Sequence, residues 1–198
     1  MAALGIAAAL VGGLAACSDN PTVDQGSAAK ATSATDISFA QSMIPHHQQA
    51  VEMADMALDP AAGASPEVRA LATDIKSAQD PEIEQMSRWL DGWGQPTAMP
   101  GATSPGDMPG MDHSGHDMGG MTVSGMMTDE DMQTLAGLTG PAFDEMWLQL
   151  MIDHHEGAVA MADQVAENTL DPDVAALAGA IITAQEEEIA AMQGLLGA

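Results

Sequence analysis

The sequence predicts an all-α protein, an antiparallel four-helix bundle built from two pseudo-symmetric helical hairpins. Hydrophobic residues make up 46% of the chain but aromatic residues only 3%, and apolar mass drawn largely from Ala and Met favours packed helices over a sheet. A segment with a His-His pair occurs twice, at 39–55 and 147–163, and each copy is followed by a second similar segment, at 66–90 and 172–196. Apolar residues recur in these segments at intervals of three or four, so each repeat should be helix, turn, helix.

Residues 1–17 form an apolar run that ends in small residues. The run is too short to span a bilayer as a mature helix and is typical of a signal peptide. Its last residues, Leu14 to Cys17, resemble the lipobox of bacterial lipoproteins. We therefore expect Cys17 to carry a lipid that anchors the protein to the membrane, in the cell envelope outside the cytoplasm; the alternative is a plain secretory signal with an incidental cysteine. Residues 18–35 are small and polar, which predicts a flexible tether.

A single bundle domain is predicted over residues 36–198, with Asp36 as the N-cap of its first helix. The hairpins span residues 36–91 and 141–197, and the turn signals DPAAGASP and NTLDP separate their helices. Pro141 should occupy the first position of the third long helix, where its missing N–H costs nothing.

The crossover between the hairpins, residues 92–127, is rich in Gly, Pro, Ser and Met and lacks apolar periodicity, so we do not expect it to pack. Residues 128–138 then predict a short helix capped by Thr128 and Asp131. Because thioethers bind soft metal ions, the crossover is expected to supply auxiliary metal ligands. These are Met108, Met111, His113, His116, Met118 and Met121.

The two His-His pairs are the strongest candidates for a metal centre. In the first helix Met43, His46 and Met53 share one face, and the partner helix presents Glu82 and Met86 at helical spacing. Folding as a hairpin should bring imidazole, thioether and carboxylate together, and the second hairpin repeats the pattern. The candidate ligands are Met43, His46, His47, Met53, Glu82, Met86, Met151, His154, His155, Met161, Glu188 and Met192.

A structural role for the same residues is the alternative. Methionine at helical spacing is usually core packing, and a single buried histidine is usually hydrogen-bonded. Two adjacent imidazoles near a core are costly unless something binds them, which favours a metal. Imidazole ligands should bind less metal as the pH falls through about 6.5, the ordinary histidine pKa.

The ligand types favour copper. Thioethers select Cu(I) or Ag(I), whereas calcium and magnesium need oxygen clusters and structural zinc usually needs cysteines. A di-iron bundle needs Glu-x-x-His, which does not occur in the sequence. Whether the hairpins form one site or two stays open.

Charge and chemistry narrow the function. The net charge of −25 excludes nucleic acid as a partner, since phosphate binding needs clustered Lys and Arg. The sequence offers no nucleophile, base and acid set, so we expect a binding protein for copper, with Cu(I) preferred, that sequesters or delivers the ion. The rivals are a non-catalytic envelope scaffold with structural histidines and a metal-dependent redox enzyme.

The motifs MIPHHQQAVEMA and MIDHHEGAVAMA, each followed by AQ-x-x-EI-x-x-M, resemble those of the domain-of-unknown-function 305 family over about residues 36–198. That family includes CopM-like copper-binding proteins of the bacterial envelope. The resemblance implies a ferritin-like four-helix bundle and copper or silver binding.

The two copies differ where prolines precede ligands. Pro45 and Pro81 stand before His46 and Glu82, whereas Asp153 and Glu187 occupy the equivalent positions of the second hairpin. A proline inside a helix removes a hydrogen bond and can bend it. We expect a first site that is bent open and unequal affinities, or else a harmless kink.

Overall fold

The computed structural model describes residues 33–97 and 124–197. In these two ranges the chain forms five α-helices and one short 3-10 helix and no strand, which confirms the all-α class. In chain order they are α1 (Ala34–Leu58), the 3-10 helix (Pro60–Ala62), α2 (Pro66–Gly92), α3 (Asp129–Ala136), α4 (Pro141–Asn168) and α5 (Pro172–Leu196). The signal peptide with Cys17, nearly all of the tether and the six auxiliary crossover ligands lie outside the described residues.

The four long helices form a bundle of two hairpins. α1 packs along α2, α4 packs along α5, and α1 against α4 joins the two hairpins, while the short α3 contacts α4. No helix in the described part of the chain is long and apolar enough to cross a bilayer.

The helix starts agree with the sequence except in α1, and α3 ends at Ala136, two residues before its predicted end. Ser33, not Asp36, is the N-cap: its hydroxyl accepts from the Asp36 N–H at 3.0 Å, and the Asp36 carboxylate accepts from the Ser33 N–H at 3.4 Å. Asp36 is thus the third residue of the helix and the partner of Ser33 in a capping box, and the helix begins three residues earlier than predicted. The Thr128–Asp131 capping box of α3 and Pro141 at the start of α4 are as predicted.

The core consists of two apolar clusters. The Trp147 cluster contains Ala50 to Ala57 of α1 and Phe143 to Ile152 of α4, and the Met43 cluster contains Phe39 to Ile44 of α1 and Ala158 to Val165 of α4. On α1 the Met43 cluster precedes the histidine pair and the Trp147 cluster follows it, whereas on α4 the order is reversed. The two helices are therefore antiparallel, and the histidines lie between the clusters.

Candidate metal centre

The four histidines His46, His47, His154 and His155 form one buried layer between the two apolar clusters. Each is 0% exposed, although a free imidazole is polar and usually keeps some contact with water. The layer is assembled from the middles of α1 and α4, where each His-His pair sits inside a long helix. We call these four side chains the histidine layer.

One histidine of each pair is bonded to a glutamate of its own hairpin. His47 Nε2 lies 2.7 Å from Glu82 Oε2, and His155 Nε2 lies 2.7 Å from Glu188 Oε2. A carboxylate only accepts, so Nε2 carries the proton in each ring. Their Nδ1 atoms have no hydrogen-bond partner among the described residues. The glutamates thus contact the imidazoles themselves, in the position from which a carboxylate orients a ligating histidine.

The other two histidines meet across the boundary between the hairpins. The ring centroids of His46 and His154 are 3.7 Å apart, with 39° between the ring planes. The sequence does not predict this contact. Helical spacing shows which residues of one helix are neighbours, but it gives no information about His46 and His154, which belong to different helices and are 108 positions apart.

Burial keeps both of these rings neutral. Desolvation, reinforced by the neighbouring His47, lowers the pKa of His46 to about 3, although its bond to Ser124 acts in the opposite direction. Desolvation, with smaller repulsion from His46 and the other two rings, also lowers the pKa of His154 well below its ordinary value. The His46 backbone lies near His154 without the geometry of a hydrogen bond and offsets this only in part. Both rings therefore keep a lone pair at neutral pH. For these two rings the expected competition from protons moves from about pH 6.5 to lower pH.

Most ring nitrogens of the layer lack a partner. His46 Nε2 donates to the Ser124 carbonyl at 3.1 Å, but His46 Nδ1 and both nitrogens of His154 have no hydrogen-bond partner in the described ranges. With the two Nδ1 atoms of His47 and His155, that makes five of the eight ring nitrogens. Each buried polar group left unpaired costs about 1–3 kcal/mol, so the layer is expensive unless a ligand occupies it.

Two buried glutamines lie one helical turn before the glutamates. Gln79 is 2% exposed and Gln185 is 3% exposed. Both amide atoms of Gln79 and Oε1 of Gln185 have no partner among the described residues. The same helix faces that carry Glu82 and Glu188 therefore add further unpaired polar atoms to the middle of the bundle.

The predicted methionine ligands are divided between the two sides of the layer. Met43 and Met86 belong to the Met43 cluster, and Met161 packs against it; Met53, Met151 and Met192 belong to the Trp147 cluster. All but the partly exposed Met161 are fully buried. Each hairpin thus brings imidazole and carboxylate into contact, while its thioethers lie on opposite sides.

The donors favour a soft ion. Within residues 33–97 and 124–197, no three His, Cys, Asp or Glu side chains converge closely enough to hold a metal by themselves. A site here would combine imidazole nitrogens with thioether sulfurs, ligands that suit Cu(I) and Ag(I) and not calcium or magnesium.

The two described ends of the crossover dock on α1, contrary to the prediction for these ends; residues 98–123 lie outside the described residues. Gln41 Nε2 donates to Pro96 O at 2.8 Å, and the side-chain amide of Gln49 bonds the backbone of Met127 in both directions. Sequence reasoning missed Gln49 and Ser124 as neighbours of the layer. The available signal was position 49, where the first copy has Gln and the second has Gly157.

Comparisons with known proteins agree with this architecture. A DUF305 protein of Streptomyces coelicolor, described as secreted, is 36% identical with a TM-score of 0.68; the match covers 82% of this chain and 92% of that one. A DUF305 fragment from Deinococcus radiodurans is 33% identical with a TM-score of 0.68 over 83% of this chain and 97% of that one. CopM in its Cu(II)-bound form is 36% identical with a TM-score of 0.62, over 82% and 95% of the two chains.

CopM structures with bound Cu(I) and bound silver are also similar, at 32% and 31% identity and TM-scores of 0.60 and 0.59, each over 81% of this chain and over 94% and 93% of CopM. No curated protein matches the chain. The profile of the domain of unknown function DUF305 matches residues 36–196. The chain belongs to the DUF305 family.

Proposed function

We propose that this protein binds Cu(I), with Ag(I) as a chemical equivalent, outside the cytoplasm, and that it sequesters the ion or delivers it to a partner. The observation that carries the proposal is the histidine layer, in which five ring nitrogens are buried without a partner among the described residues. The relatives support the proposal, because CopM, about a third identical, has structures in Cu(I)-bound, Cu(II)-bound and silver-bound forms.

The layer suits an ion and not a larger substrate. All four rings are 0% exposed, so only a small species can reach them without unfolding the bundle. Neutral imidazoles and uncharged thioethers stabilise a soft monovalent ion without requiring carboxylate ligands. We therefore propose binding without catalysis, with Glu82 and Glu188 orienting His47 and His155.

The proposed location follows from the N-terminal sequence and from one relative. Residues 1–17 resemble a lipoprotein signal, and the Streptomyces coelicolor relative is described as secreted. If Cys17 carries the anchor, Cys17→Ala should leave the protein unprocessed or released from membranes. Fractionation of the variant with membranes, as for the parent, would remove the lipid-anchor proposal and leave copper binding untouched.

An anaerobic titration against a chromophoric Cu(I) chelator tests the metal proposal. The variant His46→Phe/His154→Phe keeps ring-shaped side chains at the centre and removes four ring nitrogens, so tight binding should be lost. Met56→Leu/Met146→Leu is the matched control, because these methionines pack at the edge of the Trp147 cluster and are not proposed ligands. Its affinity should equal that of the parent.

The rival is a scaffold whose buried histidines only pack. It predicts that the parent protein does not compete with the chelator at all, or that the double Phe variant competes as well as the parent. Circular dichroism of each variant shows whether the helices persist, so that loss of binding is separated from loss of fold.

A further inference from the structure

The last four residues of the crossover before the α3 cap, Ser124 to Met127, lie directly over the histidine layer; we call them the strap. Ser124 is held through its carbonyl by His46, and Met127 is held through its backbone by Gln49. Two features of the helices beneath fix the strap in this place, and the two are equivalent positions of the duplicated motif.

On α1, Gln49 acts as a clamp. Its Nε2 donates to Met127 O at 2.9 Å, and its Oε1 accepts from the Met127 N–H at 2.7 Å. One side-chain amide thus satisfies both backbone groups of one strap residue, as a neighbouring strand would. Gln48, the preceding residue, is exposed and makes no contact of this kind in the described structure.

On α4, Gly157 leaves room for the strap. A Cβ built on Gly157 would lie 2.6 Å from Ser124 C and 2.7 Å from Gly125 Cα, far inside van der Waals contact. Gly125 has a φ of +80°, and a Cβ there would lie 2.8 Å from the Gly157 Cα. Glycine inside a helix costs about 1 kcal/mol relative to alanine, so its presence in mid-helix is explained by this backbone crossing.

Gln49 and Gly157 occupy the same position in the two motif copies, 108 residues apart. In the first copy, on α1, the glutamine side chain binds the strap. In the second copy, on α4, the missing side chain of glycine leaves space for the strap backbone. The seated strap bonds only one of these two neighbouring rings: His46 Nε2 donates to Ser124 O, whereas His154 has no hydrogen-bond partner in the described ranges. A carbonyl accepts and cannot donate, so this bond places the His46 proton on Nε2 and leaves the lone pair on Nδ1.

We propose that Gln49 and Gly157 are a matched pair of positioning residues that seat the strap on His46 and reserve its Nδ1 for a ligand. The seating itself needs no metal. The assignment of Nδ1 as the ligating nitrogen rests on the proposed function, with a soft monovalent ion such as Ag(I) as the ligand.

Two metal-free measurements test the seating on ¹⁵N-labelled protein. Gln49→Ala and Gly157→Ala should each raise the exchange rate of the Met127 amide by about tenfold or more, since its bond to Gln49 is lost directly or through displacement of the strap. Long-range ¹H–¹⁵N spectra of His46 should change from the Nε2–H tautomer to a mixture of tautomers. His47 bonds a glutamate and not the strap, so it is the internal reference: its Nε2–H tautomer should stay unchanged, whereas general loosening of the bundle would alter both rings.

Matched controls are available for both variants. Gln48→Ala removes an exposed glutamine next to Gln49, and Gly179→Ala adds a methyl group to mid-helix α5, where nothing lies within 4 Å of the new Cβ. Both should leave the Met127 amide and the His46 tautomer unchanged. If Gly157→Ala does not fold, the half-exposed Gln49 still supplies the test. A His46 that keeps the Nε2–H tautomer in the folded variants, or controls that change as much, would overturn the proposal.

Addition of Ag(I) to the parent protein tests the reserved nitrogen. The expected result is a shifted Nδ1 resonance of His46 with the Nε2–H signal retained. Silver on Nε2 would overturn the assignment, since the ion would then have displaced the Ser124 carbonyl. If no histidine ring responds to Ag(I), both the Nδ1 assignment and the proposed function fail, whereas the seating of the strap is decided by the metal-free spectra.

Discussion

The two hairpins share one bonding pattern but differ in what lies over them. In both, an Nε2–H of the second histidine bonds a glutamate at 2.7 Å, and the two glutamates are 18% and 17% exposed. The first hairpin also binds the crossover at Gln41, His46 and Gln49. The equivalent His154 and Gly157 of the second hairpin make no such hydrogen bond in the described structure.

This difference between the hairpins shows which positions of a duplicated motif stay equivalent and which do not. Both hairpins must pack on each other, so the histidines and glutamates that face the shared centre stay equivalent. Only one crossover exists, and it can lie over the centre only by meeting the two copies differently. The prolines, which looked like the larger asymmetry, leave α1 and α2 uninterrupted and the His47–Glu82 contact as short as its counterpart. The expectation that Pro45 and Pro81 bend the first hairpin open is wrong at this contact.

The largest expected effect is on acid stability, and it tests the pairing of His46 with His154 between the hairpins. The pKa of His46 is lowered to about 3 and that of His154 is also lowered, so below pH 6.5 the unfolded chain binds more protons than the folded one. The metal-free protein should lose about 1 kcal/mol of stability per pH unit for each ring as the pH falls below 6.5. Urea titrations at pH 7, 6 and 5 measure this slope.

The variant His46→Phe/His154→Phe separates these rings from the many carboxylates, which also titrate. Its stability should depend less on pH than that of the parent over the same interval. Equal slopes would show that the two rings are not held neutral by burial.

A smaller difference is expected at the first position of the two motif copies. Trp147 is fully buried and its indole N–H donates across to Met53 O of α1 at 2.8 Å, whereas Phe39 is 6% exposed and has no such donor. Truncation of a buried aromatic residue costs about 3–5 kcal/mol. Trp147→Ala should fall at the upper end of this range and Phe39→Ala at the lower end, in urea unfolding at pH 7. The reverse order would mean that the hydrogen bond between the hairpins contributes little.

The smallest contrast concerns the glutamates and should be close to zero. Glu82→Ala and Glu188→Ala each leave a buried imidazole N–H unpaired, at a cost of about 2 kcal/mol. Because the contacts have the same length and similar exposure, the two losses in denaturant unfolding should agree. If the two losses of stability differed by more than about 1 kcal/mol, this would indicate that Pro81 does alter the structure of the first hairpin.

Much of the fold could be predicted because its determinants are local. The apolar spacing of each repeat, the turn signals and Pro141 are read within a few residues, and the predicted helix starts lie within three residues of the observed ones. The exception at Asp36 arose because both members of a capping box are residue types that cap helices.

The site was less predictable because its contacts are between segments. Spacing puts Glu82 near His47, but it does not show whether the carboxylate faces an ion or the imidazole. The 3.7 Å approach of His46 to His154 and the strap on Gln49 join residues far apart in sequence. The pKa of His46 was also beyond sequence reasoning, because it depends on complete burial.

The central claim is that both hairpins supply one soft-metal centre in the histidine layer. Its most direct test is an anaerobic competition titration at pH 7.5 of the parent, of His46→Phe, of His154→Phe and of the variant with all four histidines replaced by Phe. With the two rings 3.7 Å apart, either single substitution should remove tight Cu(I) binding from the bundle as fully as the fourfold one. Two independent sites would instead leave half of the tight Cu(I) in each single variant. Unchanged affinity in the fourfold variant would contradict the metal assignment altogether.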